Sequence, residues 1–185
     1  MNTAVLTVIA GPSGVGKGTV VNELRRLHPE LVVSVSATTR PPRPGEVDGV
    51  NYFFISKEAF DDLIECDGFL EWAEVFGGHR YGTLRSFVEK HLALGKHVLL
   101  EIDLKGARQV KTAMPEAHMF FIAPPSLDEL KQRLRNRGTE TVEQQEQRLA
   151  IARIELAAQD EFDATVINDE VQRAAKEVAS LMGLE

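Results

Sequence analysis

A run of seven residues, Gly11-Pro12-Ser13-Gly14-Val15-Gly16-Lys17, constrains this chain more than any other feature. It follows the apolar stretch Ala4–Ala10 and opens a segment of helical period, so the pattern G-x-x-x-x-G-K stands between a strand and a helix, where its chemistry requires it. Glycines let the backbone curl until successive N–H groups point at phosphate oxygens, and the helix N-terminus adds partial positive charge. Lys17 is then placed to reach the β- and γ-phosphates of a bound nucleotide. The position after the lysine, where a Ser or Thr hydroxyl usually meets Mg²⁺, is Gly18, followed by Thr19. The metal is expected to be held through water, the phosphates and Asp103, or by Thr19 from a different angle.

Beyond this loop, apolar runs of strand length alternate with segments of helical period, which is the pattern of a parallel sheet covered by helices. Strands are predicted at Ala4–Ala10, Val32–Ser36, His97–Asp103, His118–Ala123 and Thr165–Asn168. Four of the five are rich in Val, Ile, Leu or Phe with little polar alternation, as strands buried on both faces are. Helices are predicted at Lys17–Leu27, Leu84–Leu94, Gly106–Ala113, Leu127–Asn136, Val142–Gln159 and Glu170–Met182, with Gly95 and Gly138 at helix C-caps. Two stretches break the alternation. Residues 37–83, rich in Pro, Gly and aromatics with one helix near Lys57–Glu65, read as an inserted mixed α/β subdomain. Residues 126–160, dense in Arg, Gln and Glu, read as a helical lid. A length of 185 residues and 43% hydrophobic content suit a single α/β domain, its core in about 1–36, 84–125 and 161–185.

A net charge of −7 argues against a nucleic-acid binder working by broad attraction to phosphates. The single cysteine, Cys66, allows no intramolecular disulfide and is read as a buried, inert thiol. The first ten residues lack the basic region and cleavage site of a signal peptide, and no apolar stretch approaches eighteen residues, so a cytoplasmic protein without membrane attachment is expected.

The acceptor is read from the segment Ser34–Glu46. Prolines 41, 42 and 44 stiffen the backbone and fix where Arg40 and Arg43 point, which suits bidentate binding of a compact anion, a phosphate. At this point the sequence resembles the guanylate kinase family of P-loop nucleoside monophosphate kinases. SVSATTRPPRPGEVDGVNYFF, GFLEWAEVFGGHRYGT, LLEIDLKGA, FIAPPS and LRNRGTET stand in the family's order and near its spacing, over essentially the whole chain. The resemblance implies a P-loop NTPase-type parallel sheet flanked by helices, with an inserted GMP-binding subdomain (37–83) and a helical lid (126–160). It also implies Mg²⁺-dependent transfer of the ATP γ-phosphoryl group to GMP, and to dGMP if no residue reads the ribose 2′-OH, in purine nucleotide metabolism.

Roles follow from the resemblance residue by residue. Gly11, Pro12, Ser13, Gly14, Val15, Gly16, Lys17, Gly18 and Thr19 would bind ATP, with Asn168 beside the adenine or serving as a strand-ending turn residue. Arg40, Arg43, Tyr52 and Tyr81 would hold the phosphate of GMP, unless the tyrosines are packing residues with satisfied hydroxyls. The loop before Tyr81 is one residue longer than the family's common form, and Tyr81 is aligned by its following Gly-Thr. Ser36, Glu71, Thr83 and Asp103 would surround the guanine, whose N1–H and N2–H donors a carboxylate accepts together, whereas adenine offers an acceptor at N1. That predicts GMP over AMP. Glu71, beside Trp72 in an apolar neighbourhood, is costly without a partner. Lys17, Arg40, Arg137 and Arg148 are the expected catalytic residues.

Strand alternation sends Glu101 and Asp103 to one side at the C-terminal edge of the sheet, beside the nucleotide site. Asp103 is the candidate for guanine, and both are candidates for holding Mg²⁺ through water. A helix-capping role stays open for Glu101 and is set aside for Asp103. Arg137 and Arg148 would close over ATP, neutralising the moving phosphoryl group and excluding water. Arg133, Arg135 and Arg153 read as helix ion pairs. No general base is needed for an acceptor that is already anionic, and the five histidines read as surface or packing residues. Two rival readings are a binding module of the same fold that recognises phosphopeptides, and a P-loop kinase with another small phosphorylated acceptor. Lys17 with the lid arginines argues against the first, and Ser36, Glu71 and Asp103 against the second.

Overall fold

Strand alternation sorts the core into two layers. β1 (Leu6–Ala10), β7 (Val98–Glu101) and β8 (His118–Ala123) send Ile9, Leu99, Phe120 and Ile122 to one face of their sheet, and Leu6, Val8, Val98, Leu100 and Met119 to the other. In this computed structural model, which describes residues 4–75, 77–135 and 141–184, the first face is covered by α1 (Lys17–Leu27) and α7 (Val171–Met182). The second is covered by α3 (Arg85–Ala93) and α4 (Leu104–Ala113). With β2 (Val32–Val33) and β9 (Ala164–Ile167) at its edges, the sheet is parallel throughout in the order β2-β7-β1-β8-β9. Burial of both faces is why the central strands read as unbroken apolar runs. β9 is only partly buried, as an edge strand would be.

Residues 37–84 form a second sheet, in the order β4-β3-β6-β5, from β3 (Ala37–Thr38), β4 (Phe53–Phe54), β5 (Phe69–Val75) and β6 (His79–Leu84). α2 (Lys57–Glu65) packs on it through Phe60, which lies with Phe69 and Ala37 in a small separate core. Ser56 caps α2 by accepting from the Ala59 N–H at 3.1 Å. A register shift between Phe69 and Glu71 leaves Leu70 as the extra residue of a β-bulge. Leu70 therefore enters the main core with Ala107 and Val110, while Phe69 stays with Phe60.

α5 (Leu127–Arg135) and α6 (Val142–Ala157) pack on each other through Leu130, Leu134 and Ala152. Thr141 and Gln144 form a capping box at the start of α6. Gly95 follows α3 with φ +72°, as a C-cap glycine should, whereas Gly138 and the end of the helix expected to reach Asn136 lie outside the described residues. No helix among the described residues is long and apolar enough to cross a membrane.

Three expectations need correction. The second strand stops at Val33 rather than Ser36, because the chain leaves the parallel sheet there to enter the inserted one. The strand expected to run to Asp103 ends at Glu101, and α4 begins at Leu104 rather than Gly106, because Asp103 becomes its N-cap. Cys66 is exposed, not buried, at the C-terminus of α2.

Candidate functional site

The P-loop leaves β1 at Gly11, whose position leaves no room for a side chain: a Cβ there would meet the Ile122 carbonyl oxygen at 2.3 Å. It enters α1 at Gly16, which is left-handed at φ +94° and caps the helix without a side chain. Behind the loop, the buried amide of Asn168 donates to the Val15 carbonyl at 2.8 Å. Arg133 of α5 donates to the Val15 carbonyl at 3.1 Å and to the Asn168 carbonyl at 3.0 Å, and pairs with Glu129 at 2.5 Å. Arg133 thus makes the expected helix ion pair and also ties the lid to the P-loop. Asn168 does end a strand, but its side chain holds the loop.

In front of the loop, a cleft of about 420 Å³ is lined by Ser13, Lys17, Gly18, Thr19, Asn22 and Glu101. Lys17 folds back, its ammonium donating to the carbonyls of Gly11 and Pro12. Burial pulls its pKa down, while Glu155, Glu101 and Asp103 act against that. Glu155 reaches this cleft from α6; burial pushes its carboxyl up, opposed by the Lys17 charge and by the Ser13 backbone N–H.

Glu101 is opposite Ile9 in the β7–β1 register, so its carboxylate emerges just below the P-loop. It is open to the cleft, yet the cleft walls desolvate it enough to push its pKa up against the pull of Lys17. A Cβ on Gly18 would lie 3.6 Å from Glu101 Oε1, so the position that usually carries a metal-binding hydroxyl faces this carboxylate. Glu101 caps no helix. Asp103 does: its Oδ1 accepts from the Gly106 N–H at 2.7 Å, the role the sequence reading had set aside. Once β7 ends at Glu101, alternation no longer governs Asp103, and the unpaired N–H groups of α4 take its side chain.

Glu101 also lines a second cleft, of about 180 Å³, between the two sheets, together with Ser34, Ser36, Tyr52 and Thr83. Behind Thr83 lies Glu71, buried, with Oε1 accepting from the Thr83 hydroxyl at 2.7 Å. Burial pushes the Glu71 carboxyl up; the Thr83 hydrogen bond opposes this and the charge of Asp103 adds to it. Gly106 lets α4 come close here: a Cβ would stand 3.0 Å from Glu71 Oε2, tight enough that the carboxylate would have to shift slightly.

At the far end, Arg40 is buried and held from three sides. Its Nε donates to the Tyr81 hydroxyl at 3.0 Å, one terminal nitrogen to the Pro41 carbonyl at 2.8 Å and the other to Glu46 Oε1 at 2.8 Å. Two N–H groups, one on each terminal nitrogen, remain for a ligand. The guanidinium centre lies 5.5 Å from the Tyr52 ring, and the Tyr52 and Tyr81 rings meet edge to face at 5.6 Å. The Glu46 hydrogen bond raises the Arg40 pKa despite its burial. Arg43 is exposed, and its backbone N–H donates to Glu46 Oε2 at 2.7 Å.

The structure therefore gathers Arg40, Tyr52, Tyr81, Ser36, Thr83 and Glu71 on the inserted sheet side, and Lys17, Gly18, Thr19 and Glu101 on the core side. Arg148 is half-buried on α6, and Arg137 lies outside the described residues. Several residues escaped the sequence reading, among them Glu155 beside Lys17, Glu46 and Ser34. Glu46 orients Arg40, and its signal was an acid closing an Arg-Pro run. Ser34 lines the inter-sheet cleft with its hydroxyl buried and without a protein partner. Among the described residues no group of three or more His, Cys, Asp and Glu stands ready to cage a metal.

Comparison with known proteins agrees with this fold. The guanylate kinase family model matches residues 3–185. The chain is 57% identical to a guanylate kinase of Prochlorococcus marinus (strain MIT 9313) over 97% of its own length and 94% of that protein. It is 58% identical to one of Streptomyces coelicolor over 95% and 89%. A crystal structure of guanylate kinase from Anaplasma phagocytophilum superposes with a TM-score of 0.74 at 32% identity, covering 98% of this chain and 86% of that one.

Proposed function

From the premise that the chain belongs to the guanylate kinase family and is an ATP:GMP phosphotransferase, we propose that ATP lies in the P-loop cleft, GMP in the inter-sheet cleft, and that their phosphates meet at Glu101. The observation that carries this assignment is that Glu101 lines both clefts, making it the common wall of two otherwise separate sites.

On the acceptor side, the two open N–H groups of Arg40 take the GMP phosphate in a bidentate grip, with the tyrosine hydroxyls and Arg43 around it. Glu71 accepts from guanine N1–H and N2–H, and Ser36, Thr83 and Asp103 complete the base site. On the donor side, the P-loop N–H groups hold the ATP phosphates. Lys17 exchanges its bonds to the Gly11 and Pro12 carbonyls for bonds to those phosphates. An oxygen of the GMP phosphate then attacks the γ-phosphorus in line, the bond to the β-bridging oxygen breaks, and ADP leaves. The acceptor is anionic, so no side chain removes a proton. Arg137 and Arg148 close from the lid to neutralise charge and exclude water.

Mg²⁺ fits the donor set without a dedicated cage. Glu101 and Thr19 offer oxygens in the cleft that holds Lys17, and Mg²⁺ commonly binds through one or two carboxylates, several waters and substrate phosphates. Asp103 would act through water. When bound, the ion supplies charge neutralisation between the phosphates. The expectation of a cytoplasmic enzyme belongs to this proposal too, as the setting that supplies both nucleotides.

The test is ADP release with Mg²⁺-ATP and GMP, AMP, UMP or CMP as acceptor, in wild type and Arg40→Lys. We expect turnover with GMP above the others. Arg40→Lys should raise the KM for GMP roughly 10–100-fold through loss of one charge-assisted bond and the fork geometry. Equal turnover of AMP, or an unchanged KM in the variant, would overturn the assignment.

A further inference from the structure

β5 is the outer strand of the inserted sheet, with β6 as its one strand partner among the described residues, so half of its backbone groups face away from that ladder. At Trp72 that open edge is closed by a side chain from the core domain. The Oε1 of Gln109 accepts from the Trp72 N–H at 3.1 Å, and its Nε2 donates to the Trp72 carbonyl at 3.1 Å. One carboxamide thus replaces the peptide group of a missing neighbour strand.

Gln109 follows Gly106 by three residues on α4, so the two share a face of the helix. Gly106 faces Glu71 and Gln109 grips Trp72, so two consecutive residues of β5 meet two consecutive turns of α4. Around this grip the junction is loosely filled. A cleft of about 310 Å³, bordered by Ile64, Phe69, Leu70 and Thr112, opens beside Gln109. Leu70, buried against Ala107 and Val110, anchors β5 to α4 before this point, and beside the open cleft the Gln109 hydrogen bonds carry the contact on to Trp72.

We propose that Gln109 is a positioning residue for base recognition: its two-point clamp on Trp72 sets the depth at which the Glu71 carboxylate sits beside Gly106 and Asp103. The clamp restrains translation along β5 as well as separation, because donor and acceptor bonds on one residue cannot both survive a slip of a single position. This rests on the reading of Glu71 as the guanine acceptor. Gln109 touches neither substrate; it acts through the backbone of the residue next to Glu71.

The test compares Gln109→Met, which keeps the length and apolar stem but removes both hydrogen bonds, with wild type and with Glu71→Gln. KM and kcat for GMP, AMP and ATP are measured, together with GMP titrations of the fluorescence of Trp72, the chain's one tryptophan. Gln109→Met should raise the KM and Kd for GMP about 5–20-fold, from the loss of two neutral hydrogen bonds. It should narrow the preference for GMP over AMP and leave the KM for ATP unchanged. A lower melting temperature with unchanged GMP constants would make the clamp merely structural and overturn the proposal, as would an equal rise in both KM values. If Glu71→Gln weakens GMP while Gln109→Met does not, the clamp alone fails. If Glu71→Gln leaves GMP binding unchanged, the base-reading assignment fails and the clamp proposal with it.

Discussion

Glu71 shows how a single residue can be placed against the interest of the fold. Burial, with the nearby charge of Asp103, disfavours ionisation of its carboxyl and outweighs the hydrogen bond from Thr83, so its pKa stands above the ordinary value. A carboxyl with a raised folded-state pKa favours the fold at pH below its unfolded value and loses that contribution as pH rises through the folded one. At neutral pH the ionised group is therefore a cost that a ligand donor can remove. Glu71→Gln keeps an oxygen for the Thr83 hydroxyl and removes the charge. The ligand-free variant should melt about 2–4 °C higher at pH 7.5, corresponding to about 1 kcal/mol in a chain of this size. Its KM for GMP should rise about 10–100-fold, as expected for loss of a charge-assisted hydrogen bond. Melting curves and steady-state kinetics check the pair, and a variant both less stable and equally tight for GMP would contradict it. Glu71 could be picked out in the sequence because an acid beside Trp72 in an apolar stretch needs a reason. Gln109 could not, because its work is to hold another residue, and that partner, Trp72, lies 37 positions away on the inserted sheet.

At the scale of elements, the P-loop is held from behind as well as formed from within. Asn168 at the end of β9 and Arg133 on α5 both donate to the Val15 carbonyl, so one peptide group ties together the phosphate loop, the sheet edge and the lid. Removing Asn168 takes away one of the two donors to the Val15 carbonyl, a net loss of about 0.5–1.5 kcal/mol. Asn168→Ala should lower the melting temperature and raise the KM for ATP several-fold, with the KM for GMP unchanged. Kinetics with each substrate varied at saturation of the other will show it, and a variant affected only in GMP would refute it. The elements legible in the sequence were those with a long, unbroken period. α1, α2 and β8 fall where periodicity put them. β3 and β4, two residues each, carry no period to detect and exist only because β6 lies alongside β3. α4 began two residues early because a capping aspartate was read as a strand residue.

On the scale of the whole molecule, the two clefts meet in an acidic neighbourhood. Glu101, Asp103 and Glu155 all act on the charge of Lys17, and Asp103 acts on Glu71 as well. On the proposed assignment, Arg40 and the guanine donors of GMP are what offset those carboxylates for an entering substrate anion. The legible part of this site was its inventory of residue types; its arrangement was less so, since the helix-capping role left open for Glu101 falls to Asp103 once the strand end is known. The proposed arrangement makes GMP binding depend on pH through Glu71. Guanine donors need the ionised carboxylate, so GMP must hold its pKa down, and binding weakens as pH falls toward the ordinary carboxyl range near about 4.3. GMP at roughly 100 times its Kd adds about 2.7 kcal/mol to stability, a rise of about 5–10 °C here. That GMP-induced rise should shrink between pH 7.5 and 5.5, while the contribution of Glu71 to the ligand-free fold moves the other way. The GMP phosphate also gains a proton near pH 6 and acts in the same direction, so Glu71→Gln is the control. The variant's shift should retain only the shallower dependence due to the phosphate. Superposable curves for wild type and variant would mean that Glu71 does not meet the base, and that the preference for guanine is set by other groups in the inter-sheet cleft.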